Sequence, residues 1–82
     1  MSEKKRQQNE SKFDNWKSTE DGGRIYWFEV TGNKGWKAKY LKEVDENEKT
    51  RKFWQEIYNE KNVLVEVHEK YPTEKGHKKI KR

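Results

Sequence analysis

The apolar residues of the chain are concentrated in its middle, where they alternate with polar residues. Between Arg24 and Tyr71, short runs rich in aromatic and β-branched residues are separated by clusters of Gly, Asn, Asp and Glu. Alternation of this kind between turn signals is typical of half-buried β-strands. The pattern therefore predicts a mainly β fold: a single four-stranded antiparallel meander over residues 24–71, made of two hairpins.

The first hairpin can be assigned a register from its turn. Residues 24–31 and 36–44 flank a Gly-Asn-Lys-Gly sequence. A three-residue loop at 33–35, with Gly35 in the left-handed region, pairs Val30 with Ala38 and Phe28 with Tyr40. This register gathers the apolar residues on one face, which we expect to be the inner face of the sheet.

The second hairpin is predicted in the same way from residues 53–58 and 63–68. A three-residue loop ending on Asn62, a residue that tolerates the left-handed conformation, pairs Ile57 with Val65 and places Val65 on the inner face. A four-residue loop at 45–48 would join the hairpins and set Lys37 opposite Glu56, an opposite-charge pair.

A helix over residues 49–60 is the alternative to the third strand. Phe53, Trp54, Ile57 and Tyr58 recur at a spacing that also fits one face of a helix. The turn residues at 59–62 and the β-branched run that follows favour the strand. Pro72 is expected to end the fourth strand because it lacks an amide donor.

The inner face of a single sheet needs a cover, and the chain offers few residues for it. Residues 1–23 form a polar arm, expected to be flexible or loosely docked, in which Phe13 and Trp16 are spaced as on one turn of a helix or strap. Either these residues and Ile80 cover the inner face, or a second copy of the chain does so in a homodimer.

Composition and charge restrict the class of protein. The 82 residues provide for one small domain; 28% are hydrophobic and 43% charged, and cysteine is absent. A reducing, cytoplasmic location is expected, with no membrane association, because there is no disulfide framework and no long apolar run. The net charge is +5, and residues 72–82 form a basic tail that carries most of it. Its candidate binding residues are Lys75, His77, Lys78, Lys79, Lys81 and Arg82.

The outer face of the predicted sheet carries aromatic residues interleaved with lysines. Bases of single-stranded nucleic acid stack on such rings while lysines neutralise phosphates. Glu29, Glu56 and Glu66 lie among these lysines and weaken that interpretation, which leaves a protein contact as an alternative. The candidate binding residues of this face are Trp27, Lys37, Lys39, Lys52, Trp54, Tyr58, His68 and Lys70.

The sequence provides poorly for catalysis. The serines lie in the polar arm, and neither His68 nor His77 belongs to a catalytic or metal-binding motif. We therefore expect a non-enzymatic β domain that acts by binding, with no cofactor or metal and a partner the sequence does not identify. RNA or single-stranded DNA binding is the first alternative. A small toxin-type nuclease using a histidine with Glu66 and Lys70 is a more distant one.

Overall fold

The computed structural model describes residues 3–72 and the backbone of residues 77–79. One helix, α1 (Glu3–Lys12), precedes an antiparallel sheet in which every strand pairs with the next along the chain. The strands are β1 (Asn15–Ser18), β2 (Arg24–Thr31), β3 (Lys37–Val44), β4 (Thr50–Tyr58), β5 (Leu64–Tyr71) and the short β6 (His77–Lys79). No described helix has the length and apolar character needed to cross a membrane.

The predicted fold class is confirmed, but the prediction of four strands is wrong. A fifth strand, β1, comes from the polar arm and pairs with β2, with Trp16 opposite Tyr26. All residues of β1 are exposed, so it shows no alternation of buried and exposed positions that a sequence pattern could reveal. Backbone pairing also continues into β6, where His77 lies opposite His68. The tail residues Lys75, Lys81 and Arg82, and Ile80, lie outside the described residues.

The register predicted for the first hairpin is confirmed. Val30 lies opposite Ala38 and Phe28 opposite Tyr40, and Gly35 has a φ of 80°. A side chain at this φ would be strained, so glycine suits the position. The turn residues therefore determine both the loop length and the face on which each side chain lies.

Residues 50–58 form a strand, as predicted, but its pairing with β3 differs from the predicted one by two residues. Lys37 lies opposite Tyr58, and Glu56 lies opposite Lys39. The loop is shorter than predicted, because the Asp45 amide donates to the Lys49 carbonyl. A β-bulge next to this loop restores the original parity, so the side chains of β4 lie on the predicted faces.

The predicted three-residue loop that ends on Asn62 is confirmed, since Tyr58 lies opposite Leu64, but the register predicted for the rest of β5 is wrong. Ile57 lies opposite Glu66, not Val65, and Glu56 lies opposite Val67. The pairing is irregular at both ends of the strand, between Ile57 and Tyr58 and between Phe53 and Trp54 on the β4 side. Each extra residue shifts the pairing by one, and a shift of one exchanges the two faces of a strand.

Helix α1 covers one face of the sheet, here called the helix-side face, which carries Tyr26, Phe28, Tyr40 and Phe53. Phe13, which follows α1, is 1% exposed, and its ring centroid lies 5.8 Å from that of Tyr26 and 5.4 Å from that of Phe28. Phe13 therefore covers part of the inner face, as in the first of the two alternatives given by the sequence. Trp16 is 41% exposed and does not bury its ring in the same way.

The helix itself is held to the sheet by polar side chains, because α1 contains no apolar residue. The buried Glu48 carboxylate accepts hydrogen bonds from the Tyr26 hydroxyl at 2.6 Å, from Asn9 Nδ2 at 3.1 Å and from Arg6 Nε at 3.3 Å. Burial opposes ionisation of Glu48, but these three hydrogen bonds outweigh it and lower its pKa. Arg24 adds an ion pair to Glu10 at 2.7 Å.

Candidate functional site

The face of the sheet opposite α1, here called the open face, has a row of apolar side chains across three strands. Trp27, Leu41 and Trp54 lie opposite one another on β2, β3 and β4. Leu41 is only 7% exposed between the two indoles. Lys39 Nζ lies 5.2 Å from the centroid of the Trp27 ring, and Lys52 Nζ lies 4.8 Å from that of Trp54. Both lysines thus form cation–π contacts within the domain.

Glu56 binds two of the aromatic side chains of the open face. Its carboxylate accepts hydrogen bonds from Trp54 Nε1 at 2.9 Å and from the Tyr58 hydroxyl at 2.7 Å. Burial and the hydrogen bond to Glu56 raise the pKa of Tyr58 to about 12. These contacts engage the polar atoms that a ligand on this face would use.

The charges that β1–β5 place on the open face balance. From the registers of these five strands, the face carries Lys17, Lys37, Lys39 and Lys52, together with Glu29, Glu43, Glu56 and Glu69. A mixed-sign surface of this kind neutralises itself through cross-strand pairs such as Glu29 with Lys39. The part of the face formed by β1–β5 therefore presents no net charge to a polyanion.

The structure divides the outer-face candidates between the two faces. It brings six of them together on the open face: Trp27, Lys37, Lys39, Lys52, Trp54 and Tyr58. His68 pairs with Gln55 and lies on the helix-side face. Lys70 also points to that face, since its Nζ lies 5.5 Å from the Tyr40 ring centroid and 5.9 Å from the Phe53 ring centroid.

The bulge in β5 creates this placement of Lys70. Phe53 pairs with Tyr71 while Trp54 pairs with Glu69, so Lys70 is the extra residue between the two pairs. As a result, the consecutive residues Lys70 and Tyr71 both serve the helix-side face, whereas a regular strand would send them to opposite sides. On the same face, the rings of Phe28 and Tyr40 form a stacked pair, with their centroids 5.0 Å apart and an angle of 17° between their planes.

A groove of about 420 Å³ opens between the end of α1 and this part of the sheet. Three aromatic residues form its walls, and Tyr71 is 46% exposed. Its charged residues are Lys12 and Lys42. The lining residues are Lys12, Phe13, Lys42, Thr50, Phe53 and Tyr71.

Lys42 is held in the groove by the same polar network that docks the helix. Its Nζ donates to Asn9 Oδ1 at 2.9 Å, and Asn9 in turn donates to Glu48. Burial lowers the pKa of Lys42, and the positive charges of Lys12 and Lys5 lower it further against the attraction of Glu48. The groove is therefore a cationic site in which a bound anion would relieve repulsion between lysines.

Sequence reasoning missed this groove for two reasons. The β5 bulge that turns Lys70 and Tyr71 to the same side leaves no simple mark in the sequence. Lys12 and Lys42 are separated by 30 positions, and only the docking of α1 brings them together. The adjacent pairs Lys12-Phe13 and Lys70-Tyr71 are a sequence signal that could have directed attention to these residues.

Comparisons with protein-family models, with curated proteins and with solved structures gave no match to this chain.

Proposed function

We propose that the protein is a non-enzymatic binding domain for single-stranded nucleic acid and that the strand lies along the helix-side face. The observation that carries the proposal is the position of Lys70, whose ammonium group lies over the rings of both Tyr40 and Phe53. A cation beside half-buried rings offers a phosphate contact and a stacking surface at the same place, which is what single strands require.

Charge supports this face over the open face as the contact surface. Lys12 and Lys42 in the groove add to Lys70, and Glu66, opposite Ile57, is an acidic residue on the same side. On β1–β5, the open face carries equal numbers of lysines and glutamates. A polyanion is drawn to a surface of net positive charge, so the helix-side face is the more favourable one.

The proposal places the binding residues on a different surface from the sequence-based prediction. Trp54 and Tyr58, two of the aromatic residues of that prediction, already donate hydrogen bonds to the Glu56 carboxylate. The basic tail would add attraction for phosphates without base selectivity. We also predict that the protein is cytoplasmic and self-associates. Single-stranded nucleic acids of the cytoplasm would then be the natural ligands.

Lys70 and Lys52 provide a test with an internal control, because each lysine covers an aromatic ring, on opposite faces of the sheet. Binding of a labelled single-stranded RNA oligonucleotide is measured by fluorescence anisotropy over a range of salt concentrations. Lys70→Met should weaken binding and reduce the slope of log K against log salt by about 0.7, as expected for one lost phosphate contact. Lys52→Met should leave the slope unchanged.

Tyr71 tests the stacking part of the proposal. Tyr71→Ala should weaken binding by ~1–3 kcal/mol, or about 5- to 150-fold, because one base loses its ring. Trp27, which lies on the open face, serves as the aromatic control, and Trp27→Ala should leave binding unchanged. Equal effects of Lys70→Met and Lys52→Met, or no binding by the intact protein at low salt, would reject the proposal.

A further inference from the structure

A second, more polar depression of about 230 Å³ lies next to the groove. Lys42 and Thr50 line both, so the two are neighbours, and we treat them as two halves of one site. We call the part walled by Phe13, Phe53 and Tyr71 the aromatic half. The other part, to which Lys5 and Lys49 contribute, is the polar half.

The two halves have complementary chemistry. The aromatic half offers the accessible rings of Phe53 and Tyr71, against which a planar group can stack, above the buried ring of Phe13. The polar half is lined by Lys5 and Lys49, with Lys42 and Thr50 at the junction. Several ammonium and hydroxyl donors around one depression are typical of phosphate sites.

The one carboxylate that lines the polar half does not cancel this charge. Glu48 is 3% exposed, and its Oε1 accepts from the Tyr26 hydroxyl and from Asn9. Its Oε2 accepts from Arg6. The carboxylate is thus held within the domain, and the residues that line the depression include three lysines, Lys5, Lys42 and Lys49, against this one carboxylate.

We infer that this groove binds one phosphorylated nucleotide, with the base in the aromatic half and the phosphate among the lysines of the polar half. The inference rests on the proposed function, of which it is the most specific contact. Lys42 and Thr50 line both halves, so the stacking surface and the phosphate donors lie next to each other. The volume of the aromatic half falls within the range of roughly 300–1,000 Å³ that is usual for small-molecule sites.

Adenosine 5′-monophosphate, adenosine and inorganic phosphate are the probes that test this inference on the full chain. Each is titrated while chemical shifts of the protein are recorded. The monophosphate should bind at least about tenfold more tightly than either of the other two, because only it fills both halves. Equal affinity for the monophosphate and inorganic phosphate, or for the monophosphate and adenosine, would overturn the inference.

Lys49 and Lys61 form the variant pair for this test. Both are exposed lysines in loops at turns of the sheet, but only Lys49 lines the groove. Lys49→Met should weaken binding of the monophosphate by about fivefold, or ~1 kcal/mol. Lys61→Met should have no effect, and identical effects of the two substitutions would count against the site. Circular dichroism of both variants checks that the fold is unchanged.

A pair of RNA oligonucleotides, with and without a 5′-phosphate, separates the inference from the proposed function. Tighter binding of the phosphorylated strand, lost in Lys49→Met, supports both and identifies the end of a strand as the source of the nucleotide. Binding that depends on Lys70 but not on the 5′-phosphate or Lys49 overturns the inference and leaves the proposed function standing. Binding of the monophosphate without binding of either oligonucleotide supports the groove as a free-nucleotide site and overturns the proposed function.

Discussion

Replacing Glu48 by alanine should be far more destabilising than its position in a hairpin loop suggests. The Glu48 carboxylate is the acceptor for the hydroxyl of Tyr26, which is completely buried, and for the amide of Asn9, which is 5% exposed. Arg6 is partly exposed and can turn to water. Glu48→Ala therefore leaves two buried donors without this acceptor, while Tyr26 keeps only its longer contact with Arg24, at 3.3 Å.

The size of the effect follows from these contacts. Each hydrogen bond to a charged group contributes ~1.5–3 kcal/mol, and breaking a buried charged network by removing one partner costs ~3–5 kcal/mol. We expect the free energy of unfolding to fall by about 3 kcal/mol. For a domain of this size, that corresponds to a fall in Tm of about 12–24 °C. Glu48 has a left-handed backbone conformation with a φ of 63°. Alanine is strained there as glutamate is, so backbone strain does not contribute to the difference in stability between the variant and the original protein.

Thermal and urea unfolding, followed by circular dichroism, measure this loss. Glu46 lies in the same loop and is exposed, so Glu46→Ala is the control and should change stability by no more than ~0.5 kcal/mol. Glu48→Gln should fall between the two, because the amide retains one acceptor oxygen without the charge. A loss below ~1 kcal/mol for Glu48→Ala, or one equal to that of Glu46→Ala, would refute the role assigned to the network.

Two further predictions concern acid–base behaviour and backbone packing. Burial is the main reason that the pKa of Tyr26 is raised to about 12, and Tyr58 is raised to a similar value. Both tyrosines therefore favour the folded state below pH 10 and should lose that contribution as the pH rises toward 12. Unfolding curves across this range should show the loss, which Tyr26→Phe should reduce. A Cβ at Gly23 would collide with a backbone carbonyl oxygen of β3, so Gly23→Ala should lower the free energy of unfolding by at least ~2 kcal/mol. At Gly32 the atom nearest to such a Cβ is 3.5 Å away. Gly32→Ala is therefore the control and should be nearly neutral in the same unfolding assay.

The sequence predicts the parts of the fold that depend on local turn chemistry. The β2–β3 register follows from Gly35, and the left-handed conformation of Asn62, with a φ of 63°, agrees with the predicted second turn. Bulges are different, because an extra residue is selected by packing across the whole sheet. The one in β5 moves Lys70 to the helix-side face without any breaker such as glycine or proline within the strand.

The helix shows a second limit of pattern reading. Residues 3–12 contain no apolar residue, so hydrophobic periodicity has nothing to detect. What attaches α1 is a set of long-range polar contacts, such as that of Asn9 with Glu48, 39 positions away. The groove depends on this docking, so the candidate site could not be predicted before the fold. The open-face residues, in contrast, alternate along predicted strands, and six of the candidates lie together on this face.

NMR of the aromatic side chains can show whether a nucleic acid strand contacts the helix-side face or the open face. A short single-stranded RNA is added to the labelled protein, and the aromatic and indole resonances are followed. We expect the ring signals of Phe53 and Tyr71 to shift on binding while the indole signals of Trp27 and Trp54 stay in place. Shifts of the two indoles, with unchanged signals from Phe53 and Tyr71, would contradict it.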